Sequence, residues 1–299
     1  MIVDVTSDIH LDFWIGINGS PDKQKMKMHH LVEELSPADG SDTLIIAGDI
    51  GHYNAQNETF FKVLREYYKD VVWVHGNHDL YMVSSSVRRN FLNNSFARLN
   101  DMVERSNKID GVHYLNGNTV EIDGVKITGC GMWYNYDYAK EVYQMTDPEC
   151  ERMWNDYLND ANLIRVAGDN ALGQINNLEY FKEQYELLEK VYQEGDIIVS
   201  HVSPSWSNLI QKYQIPSTTF YVFDGREMLS KLDDTKIWVF GHTHEKYLYR
   251  DASGCTLICK PVDYAPSWDW QNLDLSDRAF VTIEVGKFPS YDDIFKDIN

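Results

Sequence analysis

Short motifs of aspartate, histidine and asparagine recur along this sequence, and their side chains are of types that bind metal ions. They are Asp8-Ile9-His10, Gly48-Asp49, Gly76-Asn77-His78-Asp79, a single histidine at position 201, and Gly241-His242-Thr243-His244. Their oxygen and nitrogen donors suit Mn, Fe or Zn, and no thiolate is among them. Taken singly, each motif is more often a turn or a helix cap. Together, and in this order, they predict a metal site.

Each motif directly follows a short β-branched apolar run that is typical of a buried strand. These runs occupy residues 2–7, 43–48, 71–76, 196–200 and 236–241. Helical patterns lie between them, at 24–35, 55–69 and 175–193, so strands and helices alternate as they do in α/β proteins. Ligands of open α/β sheets bind beyond the carboxyl ends of the strands. The motifs are therefore expected to meet at one edge.

The remaining sequence predicts one domain with insertions. A hairpin is expected over 119–133, turning at Asp123-Gly124, and further strands are expected at 246–250, 255–260 and 279–285. Because the chain has no repeat, low-complexity tract or linker, we interpret residues 1–299 as a single domain. Insertions near 81–110 and 132–180 are expected to form pocket walls.

Composition limits the class of protein. The 299 residues include 27 Lys+Arg and 46 Asp+Glu, which gives a formal net charge of −19, and 13% of them are aromatic. The chain is therefore expected to fold, and its charge disfavours long nucleic acid and anionic membranes as partners. No apolar run approaches the ~18 residues of a membrane span, and the first residues do not resemble a signal peptide. The four cysteines do not suggest a disulfide framework, so a cytoplasmic location is expected.

The ordered motifs resemble those of the calcineurin-like metallophosphoesterases, which carry D-x-H, G-D, G-N-H-[DE], a single His and G-H-x-H. The resemblance extends from the first strand to about residue 244, and every motif is filled. The sequence departs mildly at residues 200–204, which read SHVSP rather than Gly-His or a His followed by two prolines. The implied fold is α/β, a four-layer sandwich of two mixed β-sheets flanked by helices.

The resemblance also implies a role for each motif residue. One metal ion would be held by Asp8, His10, Asp49 and His244. The second would be held by Asp49, Asn77, His201 and His242, so that Asp49 bridges the pair. The implied cofactors are two ions, Mn and/or Fe, with Zn as the alternative. His78, oriented by Asp79, would stabilise or protonate the leaving oxygen.

The function implied by the resemblance is that of a binuclear metal-dependent phosphoesterase. Such an enzyme hydrolyses a phosphate monoester or diester by attack of a metal-bridging hydroxide, and the substrate would be a small molecule, a nucleotide or a phosphoprotein. One alternative is a nuclease or RNA-end phosphatase of the same family. Another is a catalytically silent interaction module on the same fold, although such modules lose ligands and this sequence has lost none.

Several residues between the motifs are candidates for substrate contacts. The aromatic stretch 132–157, which contains Trp133, either lines a pocket or packs into the core, and packing is favoured. The loop 203–224 contains Trp206 and is expected to carry specificity. The candidate phosphate contacts are Arg88, Arg89, Arg152 and Arg165. His52 and His75 lie near motifs, and a structural role is favoured over one in supporting the ligands.

Overall fold

Two mixed β-sheets form the framework of the computed structural model, which describes residues 1–166, 173–267 and 269–289. The strands of the described residues are β1 (Ile2–Thr6), β2 (Thr43–Ala47), β3 (Asp70–Val74), β4 (Val112–Tyr114), β5 (Asn118–Ile122), β6 (Val125–Gly129), β7 (Ile197–Val199), β8 (Ile237–Phe240), β9 (Tyr247–Arg250), β10 (Thr256–Cys259) and β11 (Val281–Glu284). The helices are α1 (Leu11–Trp14), α2 (Pro21–Leu35), α3 (Asn54–Tyr67), α4 (Ser85–Asn90), α5 (Ser95–Ser106), α6 (Asp137–Tyr143), α7 (Asp147–Tyr157), α8 (Asp160–Leu163), α9 (Asn177–Glu189) and α10 (Arg226–Leu229).

The first sheet has the order β11-β1-β2-β3-β4, and the second has the order β5-β6-β7-β8-β10-β9. The strands that carry the motifs are parallel to their neighbours: β1 to β2 and β2 to β3 in one sheet, and β7 to β8 in the other. Antiparallel strands β11, β5 and β9 form three of the four edges, and β4, which is parallel to β3, forms the fourth. This arrangement confirms the two mixed sheets and places the carboxyl ends of the motif strands together.

Alternate residues of the strands point to different layers. Ile45 and Val72 pack in the cluster between the sheets, together with Ile197 and Val239 from the second sheet. Neighbouring residues such as Trp73 pack on the outer side, in the larger cluster that includes helical residues of α2, α3 and α5. Because both faces of these strands are buried, their sequences are continuously apolar. Helix, sheet, sheet and helix therefore form four layers.

The predicted hairpin is present, and its turn explains the sequence. Ile122 pairs with Val125, and both turn residues have positive φ, 49° for Asp123 and 78° for Gly124. Such turns favour glycine because it adopts this region without a steric cost. The predicted helices are also found, with bounds that differ by a few residues. Among the described residues, no helix is long and apolar enough to cross a membrane.

Candidate metal centre

The motif residues of both sheets meet where β1, β2 and β3 end beside β7 and β8. The backbone N–H of His242 donates to Asp8 Oδ1 over 3.0 Å, which joins the second sheet to the first. Nδ1 of His201 lies 2.8 Å from the carbonyl oxygen of Ala47, and the N–H of Gly241 donates to the carbonyl of His201 over 2.9 Å. These hydrogen bonds, two between the sheets and one within the second sheet, hold the loops that carry the candidate ligands.

One group of candidate ligands comprises Asp8, His10, Asp49 and His244, whose donor atoms all lie within 4.8 Å of one another. Nε2 of His10 is 3.3 Å from Nε2 of His244 and 3.8 Å from Asp49 Oδ2. His244 Nε2 is also 3.7 Å from Asp8 Oδ1. The nitrogen and oxygen atoms therefore point at one small volume.

A second group comprises Asp49, His201 and His242, again within 4.8 Å. His201 Nε2 lies 3.4 Å from Asp49 Oδ2 and 3.1 Å from the side-chain oxygen of Asn77. This amide oxygen is a further candidate metal ligand in the group. Asp49 belongs to both groups. The structure thus brings together all seven residues predicted as ligands, in two sets that share one carboxylate.

The chemistry of these groups fits two bound cations. Asp49 Oδ2, which belongs to both groups, is buried and has no hydrogen-bond partner. Buried polar atoms normally have partners, because an unpaired one carries its full desolvation cost. A cation would also satisfy the facing nitrogens of His10 and His244. The set of carboxylate, amide and imidazole donors suits Mn, Fe or Zn.

The second nitrogen of several histidines is fixed by a neighbouring oxygen. His242 Nε2 lies 2.9 Å from the carbonyl oxygen of Phe220, and His244 Nδ1 lies 2.8 Å from Asp263 Oδ1. His201 is held in the same way by a backbone carbonyl. Such contacts set ring orientation and leave the other nitrogen free to bind a metal. Asp263 escaped the sequence analysis because it lies outside every motif.

Asp160 orients Asn77, and no sequence pattern marked it. Its Oδ1 accepts a 2.8 Å hydrogen bond from the amide nitrogen of Asn77 and a bond from the Tyr81 hydroxyl, and its Oδ2 accepts one of 2.6 Å from Tyr134. The amide oxygen of Asn77 is therefore turned toward His201 and the ligand group. Asp160 is fully buried and begins α8, within the insertion predicted at 132–180.

His78 is held by a histidine and an aspartate. Nδ1 of His78 lies 3.0 Å from His52 Nε2, and His52 Nδ1 lies 2.8 Å from Asp12 Oδ2. Asp12 accepts a hydrogen bond from His52 Nδ1. The other nitrogen of a neutral His52 therefore carries no proton, and it accepts a hydrogen bond from His78 Nδ1. Nε2 of His78 is left for the cleft. A structural role was favoured for His52, whereas the structure places it directly against His78.

Asp79 does not orient His78, contrary to the expectation above. Its two carboxylate oxygens accept hydrogen bonds from the backbone N–H groups of Gly76, Asp49, Ile50 and Gly51. These bonds tie the loop after β2 to the loop after β3. Asp79 thus shapes both motif loops, a role that no sequence pattern marks because its partners are backbone atoms.

Burial and neighbouring charges shift the pKa values of the centre. Burial would raise the pKa of Asp49, but His201 and His78 lower it well below its usual range. Burial would likewise lower the pKa of His201, but the Asp49 carboxylate raises it to about 9. Burial lowers the pKa of His78 to about 4 and holds that of His10 well below its usual value. These shifts favour an ionised Asp49 beside a protonated His201.

Five of the seven candidate ligands have a left-handed backbone. These are Asp8, His10, Asp49, His242 and His244, with φ between 48° and 67°. Residues with side chains seldom adopt this region, and clusters of them mark functional sites. Gly48, before Asp49, and Gly76, before Asn77, lie where a side chain would not fit. A Cβ at Gly76 would lie 2.2 Å from Asp49 Oδ1, and one at Gly48 would lie 2.4 Å from His201 Nδ1.

The aromatic residues predicted as pocket walls divide between core and cleft. Trp133 is buried and donates to Asn177 over 3.0 Å, so packing, the favoured alternative, is correct. Trp206 packs against Tyr138. A cleft of 510 Å³ opens in front of the ligands, and the two insertions contribute a few of its lining residues, namely Tyr81, Tyr157, Leu158 and Asn159.

Comparison with known proteins places the chain in a family. The calcineurin-like phosphoesterase profile matches residues 1–246, so the chain belongs to that family. A sequence of Acanthamoeba polyphaga mimivirus, the uncharacterized protein L509, is 22% identical over 263 residues, which cover 83% of this chain and 87% of the relative.

Solved structures share the fold. The phosphopantetheinyl hydrolase of Mycobacterium tuberculosis superposes with a TM-score of 0.64 at 17% identity, covering 91% of this chain and 92% of that one. A dimetal phosphatase of Danio rerio gives a TM-score of 0.47 at 17% identity, covering 94% and 91%. At 17% identity the likeness to the Mycobacterium tuberculosis hydrolase concerns the fold alone.

Proposed function

We propose that this protein is a binuclear metal-dependent phosphoesterase that hydrolyses a phosphate monoester or diester of a small molecule. The observation that carries the proposal is the convergence of seven ligand side chains into two groups that share Asp49. Family membership supports the reaction class. Mn and/or Fe are the proposed ions, with Zn as the alternative.

The candidate ligands would hold the ions in two sets. Asp8, His10 and His244 would hold one ion together with Asp49. Asn77, His201 and His242 would hold the other, also with Asp49. When bound, such a pair neutralises phosphate charge and acidifies water for attack on phosphorus.

Residues beside the candidate ligands would position the proton donor for the leaving oxygen. Nε2 of His78 faces the cleft, while His52 and Asp12 keep the ring in place. Because Nδ1 carries the proton of the neutral ring, His78 would donate to the leaving oxygen only as an imidazolium, a form that the negative charge of a bound phosphate would favour. General acid assistance of this kind contributes roughly 10²–10⁴-fold. Tyr264 lines the cleft and stacks on the fully buried ring of His10 at a centroid distance of 4.5 Å.

The test compares two buried aspartates, Asp49 in the loop after β2 and Asp4 in β1. Treatment with a chelator should abolish hydrolysis of nitrophenyl phosphate and bis-nitrophenyl phosphate, and Mn should restore it. Asp49→Asn should lose bound metal and activity because it alters both groups. Asp4→Asn, which changes a fully buried carboxylate bonded to Tyr68 and Thr282 away from the centre, should keep both ions.

Other outcomes separate the alternatives. Activity that persists in excess chelator would contradict the two-metal proposal. A protein that binds neither ion and hydrolyses no phosphoester would favour the interaction module. Hydrolysis confined to polynucleotides or RNA ends would favour the nuclease or RNA-end phosphatase.

A further inference from the structure

The cleft in front of the candidate metal centre has no lysine or arginine in its wall. Its lining residues all belong to the described part of the chain, and none of them is a lysine or an arginine. Six tyrosines contribute instead: Tyr81, Tyr157, Tyr213, Tyr221, Tyr247 and Tyr264. The wall is therefore aromatic and uncharged on most of its surface.

Several basic groups outside the cleft wall are already engaged elsewhere. Nζ of Lys212 pairs with Glu245 Oε1 over 2.5 Å, and the hydroxyl of Tyr213 donates to the same carboxylate over 2.7 Å. Arg88 and Arg165, which were candidate phosphate contacts, donate to backbone carbonyls, that of Met82 in the case of Arg88. A second anion on a substrate would thus find no free cation in the wall.

Acidic groups border the same cleft. Asp263 lines it beside His244, and Glu245 lies behind Tyr213. With a net charge of −19 on the whole chain, the field outside the metal centre is negative. An additional carboxylate or phosphate on the substrate would lose its hydration and meet repulsion without compensation.

An apolar hollow continues the cleft outward. It has a volume of 300 Å³, shares Tyr157, Leu158, Ser217 and Tyr221 with the cleft, and adds Met153 and Pro216. The side chain of Tyr157 is 77% exposed although it is large and aromatic. Exposed apolar surface continuous with a catalytic cleft is typical of a binding site.

We propose that the substrate is a phosphoester whose only anionic group is the phosphate being hydrolysed, joined to an uncharged apolar or aromatic body. This rests on the phosphoesterase function proposed above. The phosphate would lie at the metal centre, the one strongly cationic place in the cleft, and the body would pack on the tyrosines and the outer hollow. Nucleoside di- and triphosphates and polynucleotides would be poor substrates.

A matched pair of substrates tests this proposal on the Mn-loaded protein. Naphthyl phosphate has an uncharged body, and the phosphate ester of a hydroxynaphthoic acid adds one carboxylate to the same ring. We expect kcat/KM to be at least tenfold higher for the uncharged body, mainly through KM. Calorimetric binding of the corresponding phosphonates, which cannot be hydrolysed, should show the same preference in Kd.

Two isoleucines of one loop provide the variant and its control. Ile215 lines the cleft and is 45% exposed, whereas Ile210 is 41% exposed and lies outside the lining. Ile215→Arg should supply the missing cation and reduce the preference by about tenfold. Ile210→Arg adds the same charge to the same loop and should leave the preference unchanged. Ser217→Lys is a second variant within the cleft and should act like Ile215→Arg.

The outcomes separate this proposal from the proposed function. Equal hydrolysis and equal binding of both bodies would overturn the substrate class while leaving the phosphoesterase function in place. If neither ester is hydrolysed but the uncharged phosphonate binds selectively, the function fails and the ligand class is supported. Failure of both cleft variants to change either preference would also overturn the proposal.

Discussion

His78 is oriented by two residues that lie outside the motifs. His52 lies 3.0 Å from its Nδ1, and Asp12 lies 2.8 Å from the far nitrogen of His52. This row of hydrogen bonds fixes which nitrogen of His78 faces the cleft. A proton held on that nitrogen would be presented to the leaving oxygen. Removing His52 would free the ring and leave its Nδ1 unpaired.

We predict that His52→Ala lowers kcat by about 10- to 100-fold, the usual cost of losing a partner that orients a functional side chain. The KM and both bound metals should be retained. An alkyl phosphate should suffer more than nitrophenyl phosphate because its leaving oxygen needs the proton. His52→Gln, which keeps an acceptor for His78, should recover part of the loss.

The control is a histidine–aspartate pair on the surface. His113 Nε2 lies 2.8 Å from Asp70 Oδ1, far from the motifs, and His113→Ala should leave kcat unchanged. Equal losses on good and poor leaving groups, or loss of metal from His52→Ala, would show that His52 does not act through the proton on His78.

At the scale of elements, α5 holds the motif loops after β2 and β3 together. Its fully buried Arg98 donates to the carbonyls of His52 over 3.1 Å and Gly51 over 2.8 Å in one loop. In the other loop it donates to the carbonyls of His78, over 3.2 Å, and Asp79. The guanidinium thereby satisfies backbone oxygens that have left the sheet ladders.

We predict that Arg98→Met lowers the free energy of unfolding by about 3 kcal/mol, because several buried carbonyls lose a charged donor. The urea midpoint measures this change, and metal affinity should fall with it because both loops carry ligands. Arg105→Met, on the same helix, removes only half-exposed pairs with Asp101 and Glu58 and should cost less than about 1 kcal/mol. Comparable losses in the two variants would contradict this role of Arg98.

At the scale of the whole molecule, the net charge of −19 governs the approach of anionic partners. A long polyanion meets this field along its whole length, whereas a compact phosphoester experiences the metal centre once it has entered the cleft. Screening reduces both effects beyond about 10 Å at 0.1 M salt. The charge therefore disfavours oligonucleotides most when the salt concentration is low.

We predict that a mononucleotide is hydrolysed with a higher kcat/KM than a long oligonucleotide, and that the ratio grows as ionic strength falls. Proteins that bind nucleic acid show the opposite trend, since their affinity rises at low salt. Measuring both substrates in one buffer at several salt concentrations checks the sign. A tenfold advantage of the oligonucleotide would require a basic groove and would favour the nuclease alternative.

Much of the framework was predictable because its determinants are local. Continuous apolar runs such as β2 predict strands with both faces buried, and the turn at Asp123-Gly124 predicts its hairpin. The candidate ligands were predictable for a related reason, since each follows a strand directly and parallel strands end at one edge. The glycines before Asp49 and Asn77 mark the places where a ligand side chain passes too close for a Cβ.

Tertiary structure alone decided which residues support the ligands and what the cleft can accept. Asp160 contacts Asn77 across 83 positions of sequence, and Arg98 contacts Gly51 across 47. No periodicity records such pairs, because each depends on how separate layers pack. The same holds for Asp79, whose partners are backbone N–H groups. The order of the motifs specified the candidate metal centre, because each motif lies at the end of a strand. The charge of the cleft depends instead on where distant loops direct their lysines and arginines.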